Sequence, residues 1–451
     1  MIVMKFGGTS VQDSSAINNL VEIVRSRLHE NPVVVCSAIS GMTDTLLDLG
    51  QIAVNGNFKE TEYILESILQ RHFLIIEESF KQSEEKQETI NKVNVILNQL
   101  KETVTGIHLL SELTERSIAR ILSFGEILSS SIISDILKFN GINSQFTDAR
   151  DFIKTKGGYR NADPDNNMIE KLVPSYLKQI IGNGQIPVTQ GFIGSDKNGN
   201  TTVFSRGGSD FTASLIGMAL NVKEIEIWTD VNGILSADPR IVRNPVVLKE
   251  ITFEEASELA FFGAKVLHPS TILPAVKKNI DVRILNSQNP EFKGTLIAKN
   301  KKINQLPVKT ITYKKNITVL NISSDESLNA SLFFKKIFEV FDKYEIAADL
   351  ITISGINASV SLEENEQLND IAEELSAFSH VKTDINKSQV CIVGSNLKHI
   401  KGIESKVFKE LEKYNLSMIS HGASLLSFSF VIERDALESV INILHKRFFE
   451  D

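Results

Sequence analysis

The chain has 451 residues, more than one hydrophobic core accommodates, so two or three domains are expected. Its 42% hydrophobic and 23% charged residues are ordinary for a globular protein, and a formal net charge of −8 argues against a nucleic-acid surface. No apolar run is long enough for a bilayer and no secretory signal opens the chain, so a cytoplasmic protein outside any membrane is expected.

The opening stretch, MIVMKFGGTS, reads as a buried strand running into a glycine turn, with a helix to follow over Val11–Leu28. Strand, glycine turn and helix start can hold a phosphate, because glycines admit an anion close to the backbone and helix-start N–H groups point at it. Lys5 at the strand end adds a positive charge. No GxxxxGK[ST] loop occurs. Taken alone, Gly7-Gly8 is better read as an ordinary tight turn.

Pro32–Ser37 is a second buried strand, leading into the small-residue turn and helix of Ala38–Leu47. Two such units in succession favour a parallel sheet with active groups at the carboxyl ends of its strands. Residues 51–125 read as almost wholly helical, with a solvated helix pair over 82–104 that carries no chemistry. In the helix Ser123–Leu137, Glu126 is either a surface carboxylate or a partly buried, ligand-facing one. Residues 141–148 return to a strand.

Ile186–Phe192 is a further strand, and Asp196–Asn200 a hairpin turn by its Asn-Gly pair. The densest polar cluster follows, with Arg206, Gly207, Gly208, Ser209 and Asp210 just before a helix over Phe211–Leu220. Arg206 can grip a carboxylate through two parallel hydrogen bonds. Asp210 suits an ammonium group or a metal ion accompanying a nucleotide. A Ser-Asp pair that only caps the helix is the plainer reading. The strand Ile225–Asp230 ends in Thr229 and Asp230, and Lys265 beside Gly263-Ala264 is a second candidate phosphate contact. Ile280–Leu285 and Gly294–Ile297 read as the last strands of this domain. There is no metal-ligand spacing of Cys or His, and Cys36 and Cys391 sit in apolar strand-like runs as buried thiols.

Beyond Asn300–Pro307 two similar units follow. Setting Lys343-Tyr344 on Lys413-Tyr414 gives an offset of 413 minus 343, or 70 residues, at which Phe338 falls on Phe408 and Ser354 on Ser424. Each unit reads strand–helix–strand–strand–helix, the pattern of a ferredoxin-like βαββαβ module with edges left to be paired.

KFGGTSV (5–11), SFGEILSS (123–130), TQGFIG (189–194), RGGSD (206–210), WTDVNGI (228–234), DPR (238–240) and FGAKVLHP (262–269), in that order, make the chain similar to aspartate kinase of the single-function bacterial type. The resemblance covers essentially the whole chain. It implies an α/β amino acid kinase fold, an open and mainly parallel sheet sandwiched by helices, over 1–300. Two ACT domains would follow at 308–386 and 387–451, which in relatives can interleave. It implies transfer of the ATP γ-phosphoryl group, with Mg²⁺, to the side-chain carboxylate of L-aspartate. Lys5, Phe6, Gly7 and Gly8 would hold ATP phosphates, and Lys5, Asp210 and Lys265 would serve catalysis. Ser37, Thr43, Glu126, Arg206 and Ser209 would bind aspartate, Glu126 taking its ammonium and Arg206 its α-carboxylate. Thr229, Asp230, Leu235, Arg240, Lys265 and Val266 would line the nucleotide, Leu235 standing where the family often has Tyr. Phe333, Asp349 and Ser354 would contact an amino acid effector, lysine first among candidates, and ACT edges would pair in a homodimer. The first ACT helix lacks the Gly of lysine-sensitive relatives, and Ser354-Gly355 stands in place of their Ser-Glu pair. Another amino acid kinase with a glutamate-type substrate and a non-catalytic amino acid sensor are the competing readings. The second is disfavoured because Lys5, Glu126, Arg206, Asp210 and Lys265 are all present.

Overall fold

The strand Ile2–Phe6 lies inside an eight-stranded sheet. The strands run in the order Glu250–Thr252, Thr295–Ala298, Asp281–Asn286, Glu224–Thr229, Ile2–Phe6, Pro32–Cys36, Ile186–Gln190, Ser144–Thr147. Every neighbouring pair is parallel except Asp281–Asn286 with Thr295–Ala298. Pro32–Cys36 and Ile186–Gln190 are buried at every residue, as expected where helices cover both faces.

The computed structural model describes residues 1–205, 207–263, 269–299, 307–324 and 329–450. The chain divides into two compact units. One comprises Met1–Ile234, Lys249–Phe253 and Leu267–Lys301, and the other Leu235–Leu248, Glu254–Val266 and Lys302–Asp451. The large sheet belongs wholly to the first. Among the described residues no helix is long and apolar enough to cross a membrane.

Several element limits differ from those read in the sequence. The first helix is Ser14–Ser26, because Asp13 caps it by accepting from the Ala16 N–H, and Gly8–Val11 is a separate 3-10 turn. The expected helix pair over 82–104 is one helix, Glu84–Leu110. Its buried stripe includes Val93, Leu97, Leu100 and Val104, three or four residues apart, so it packs on one face. Glu126 sits in mid-helix, inside Glu115–Phe139, whose residues Ile118 to Leu137 are nearly all buried. The helix Gly208–Leu220 takes Ser209 and Asp210 into its first turn. The Asn-Gly hairpin is present, joining Ile193–Ser195 to Thr201–Val203.

In the second unit six strands form one sheet, ordered Leu350–Ser354, Asn357–Glu363, Val308–Ser323, His380–Gly394, Ser427–Glu433, Leu416–His421. The two central strands are long, and each serves two cores. Leu320 and Ile322 join Phe333, Ile337, Leu362 and Leu375 in one, and Val308 and Ile311 join Val390, Ile392, Phe430 and Leu444 in the other. The register between the long strands shifts between Lys314 and Ile317. Asn316 and Asn386, 70 residues apart (386 minus 316), both adopt φ 58°.

The long helix Glu115–Phe139 approaches the turn after the second strand through Gly125, where an added Cβ would lie 2.8 Å from Ala38 Cβ and 3.3 Å from Leu46 Cδ1. Gly125→Ala gains up to about 1 kcal/mol of helix propensity. The overpacking costs about 1–3 kcal/mol and wins. The expected outcome is a lower urea midpoint; a raised midpoint would show that the contact yields freely.

Candidate active site

The carboxyl ends of the strands Ile2–Phe6, Pro32–Cys36, Ile186–Gln190 and Glu224–Thr229 lie side by side, and the segments that leave them are stitched together by backbone hydrogen bonds. Gly7 N donates to Trp228 O at 3.0 Å, Ser37 N to Phe6 O at 3.1 Å, Ser40 N to Gly8 O at 3.2 Å and Gly191 N to Cys36 O at 2.9 Å. Glycine suits this closeness at position 8, since a Cβ there would lie a tight 3.0 Å from Ala38 O.

Lys5 points from the central strand to the first turn of Gly208–Leu220, where its Nζ lies 2.6 Å from Asp210 Oδ1. Both side chains are almost buried, at 11% and 13% exposure. The contact is an ion pair off the hydrogen-bonding axis, so Asp210 Oδ1 has no aligned donor. The helix start favours the carboxylate's charge.

Glu126 is 3% exposed. A backbone hydrogen bond from Ala38 and the charge of Lys5 favour its ionised form, but burial outweighs both and pushes the carboxyl up to about 8. Its Oε2 is buried with no hydrogen-bond partner. The surface reading of Glu126 is thereby excluded. Ser129, three residues on, donates to Ser37 O at 2.7 Å and fixes this helix against the second strand's end.

The other sequence candidates are placed as follows. Ser37 follows the second strand and is half-buried; Thr43 is the second residue of the helix Met42–Val54 and is half-buried. Ser209 is 9% exposed beside Asp210. Phe6 is fully buried with its ring stacked on Trp228, so only its backbone faces the glycine turn. Thr229 is half-buried and its Oγ1 donates to the exposed Asp230 at 3.1 Å. Leu235 and Arg240 belong to the second unit, where Arg240 is forked on Asp238. Arg206, Lys265 and Val266 lie outside the described residues.

Of the effector candidates, Phe333 is fully buried in its core. Asp349 accepts from Lys314 Nζ at 2.6 Å and has a second buried oxygen, Oδ2, without a partner. Ser354 is exposed at the far end of the strand Leu350–Ser354, about 17 Å from Asp349 by strand rise, so the side chains of these two are not brought together.

Sequence reading passed over Ser10 and Ser287, whose hydroxyls lie 2.7 Å apart and tie the glycine turn to the end of Asp281–Asn286. It also passed over Gln190, which donates to Ser130 and accepts from Ala149 N. Only the TQGF segment gave a signal for any of the three. A groove of about 660 Å³ in the same unit, lined by Arg27, Trp228, Arg283 and Phe292 among others, holds none of the candidates, and its arginines are paired with Glu226 and Glu224.

The arrangement, a parallel sheet with a lysine and glycine turn at its centre, a helix start opposite and a buried carboxyl beside them, is that of a kinase for small amino acid substrates. A model described as the amino acid kinase family matches residues 1–286, and one described as an ACT domain matches 390–448. Lysine-sensitive aspartokinase 3 of Escherichia coli K12 is 33% identical over 463 residues, covering 100% of this chain and 99% of its own. The crystal structure of E. coli aspartokinase III with aspartate and ADP (R-state) superposes with a TM-score of 0.85 at 32% identity and covers all of both chains. The T-state structure with lysine and aspartate gives 0.83 at 32% identity, covering 100% of this chain and 99% of that one. The chain belongs to the aspartokinases of the amino acid kinase family.

Burial of Glu126 makes a pH prediction. With a folded pKa near 8 against an ordinary 4.5, the folded chain keeps a proton that the unfolded chain has lost. Its contribution is therefore full at low pH and is lost as pH rises from about 4.5 through 8. Glu126→Gln cannot ionise, so without ligands its urea midpoint should gain on the parent's between about pH 5.5 and about pH 8.5. Parallel profiles would mean that Glu126 ionises freely.

Proposed function

We propose that this chain transfers the γ-phosphoryl group of ATP to the side-chain carboxylate of L-aspartate, giving 4-phospho-L-aspartate. This is the first step toward lysine, threonine, methionine and diaminopimelate. The observation that carries the reading is the buried Glu126 carboxyl, whose Oε2 has no hydrogen-bond partner, in the field of Lys5, which pairs with Asp210. A substrate ammonium supplies the partner that Oε2 lacks, and draws Glu126 into its ionised form.

A substrate carboxylate is already a nucleophile at neutral pH, so no general base is needed. The obstacle is the meeting of two anions, and catalysis is positioning with charge neutralisation. In this reading Lys5 leaves Asp210 for the transferring phosphate, the Gly7-Gly8 backbone cradles the phosphates, and Lys265 adds a second cation. Glu126 takes the ammonium of aspartate, Arg206 its α-carboxylate, and Ser37, Thr43 and Ser209 its remaining oxygens. Phe6 contributes through its backbone. Thr229, Asp230, Leu235, Arg240 and Val266 contact the nucleotide. Mg²⁺ would accompany ATP, and a carboxylate of the chain would help to hold it. Asp210, with Oδ1 lacking an aligned donor, is the carboxylate that fits it. The ion supplies screening of phosphate charge.

The carboxy-terminal unit is read as two ACT domains, over 308–386 and 387–451, that bind an amino acid effector, lysine first among candidates. The unpartnered Asp349 Oδ2 suits an effector amine. Of the three residues expected to mark that site, Asp349 carries the reading; Phe333 is closed off in its core and Ser354 lies at the far end of its strand, so neither shares the site with Asp349. Ile351 and Ile353, exposed at 38% and 49% on an edge strand, suit pairing with a second copy in a homodimer.

Two measurements test this. With ATP, Mg²⁺ and L-aspartate, hydroxylamine should trap the acyl phosphate, and Lys5→Ala should lower kcat roughly 10²–10³-fold. Near-normal turnover by a folded Lys5→Ala protein would overturn the role of Lys5. In calorimetric titration with lysine, threonine and methionine, lysine should bind, and Asp349→Asn should weaken it by roughly tenfold. No heat from any of the three would leave the ACT pair structural.

A further inference from the structure

The segment after the strand Glu224–Thr229 packs with the carboxy-terminal unit, and the strand Val308–Ser323 holds it at successive residues. Thr310 Oγ1 donates to Leu235 O at 2.9 Å, Ile311 N to Ser236 O at 2.8 Å, and Tyr313 Oη to Asp238 Oδ2 at 2.8 Å. Ala237 and Val242 of the segment are buried in the core built on Val308, Ile311 and Val390. Ser236 Oγ lies 2.8 Å from His445 Nε2.

Asp238 is the hinge of this arrangement. Its carboxylate takes Arg240 Nε on Oδ1 at 3.0 Å and Nη2 on Oδ2 at 2.6 Å, and Oδ1 also accepts the Arg240 backbone N–H at 2.9 Å. Nη1 takes no part in that fork. The Arg240 side chain is otherwise 74% exposed, so without the fork it would sample many rotamers.

We propose that Tyr313 is a positioning residue for nucleotide binding: its hydroxyl fixes the Asp238 carboxylate, which presents the Arg240 guanidinium in one orientation. The inference rests on the reading that Arg240 contacts ATP. Arg240 holds the Asp238 carboxyl down to about 2, and Tyr313 adds to the effect. Burial, then the bond to Asp238, pushes the Tyr313 phenol up to about 12. The phenol therefore stays a donor and the carboxylate an acceptor throughout the working range. Tyr313 touches no reacting group, so its effect should fall on ATP capture and not on turnover.

The test is steady-state kinetics on the full chain. Tyr313→Phe keeps the ring and removes the hydroxyl. It should raise KM for ATP roughly three- to tenfold, the size of one ordinary hydrogen bond, because the bond lost acts on ATP only through Asp238 and Arg240. The values of kcat and KM for aspartate should not change. Asp238→Asn breaks the fork from the other side and should act in the same direction, which covers a Tyr313→Phe protein that folds poorly. Arg240→Gln sets the reference. In the Arg240→Gln background Tyr313→Phe should have no further effect, because the group it positions is gone. If Arg240→Gln raises KM for ATP and Tyr313→Phe does not, the positioning role falls alone. If the two losses multiply, Tyr313 acts by another route and the proposal is overturned. If Arg240→Gln leaves KM for ATP unchanged, the nucleotide role of Arg240 fails and takes the positioning role with it.

Discussion

The buried contact between Lys5 and Asp210 constrains everything around it. An ammonium and a carboxylate this far from solvent are each costly to desolvate, and they are tolerated because each is the other's counter-ion. That ties the end of the strand Ile2–Phe6 to the start of a buried helix, and the adjoining glycine turn is held by Gly7 N on Trp228 O and by Ser40 N on Gly8 O. Gly8 lies against Ala38, and the turn after the second strand is set in turn. Glu126 then adds a second carboxyl within the field of the same lysine. Burial outweighs the lysine's charge there and keeps the proton on Glu126.

Much of this was legible in the chain, for physical reasons. Runs such as Ile2–Met4 and Val33–Cys36 are apolar throughout because parallel strands are covered on both faces, and such runs have few other interpretations. The Asn-Gly hairpin and the glycine turn were legible because special backbone conformations restrict residue choice. Helix limits were less so. Asp13 reads as one polar residue among several, and only the fold reveals that it caps. The short edge strand Glu250–Thr252 has three residues and too little pattern to be seen.

The site divides in the same way. That Glu126 could be buried followed from its apolar neighbours, but that one oxygen would be left without a donor is a property of the packed interior. Hydroxyls such as Ser10 and Ser287 are 277 residues apart in sequence, and nothing local joins them. The segment 235–248 falls within the 1–300 expected for the first domain, because it stands between two of that domain's strands. Its allegiance is decided by Ala237 and Val242, two small apolar residues whose partners lie some seventy residues or more further on.

The long strands Val308–Ser323 and His380–Gly394 have a consequence for how the carboxy-terminal half can be dissected. Each contributes its first part to one core and its remainder to the other, with Asn316 and Asn386 at the crossing points. A fragment cut to residues 390–448 would keep helices and outer strands yet lack Val308 and Ile311, which fill the floor of its own interior. Neither module is therefore a bead that can be unthreaded. They are two lobes woven from one pair of ribbons, and a strain imposed on either lobe pulls on backbone that the other must also accommodate.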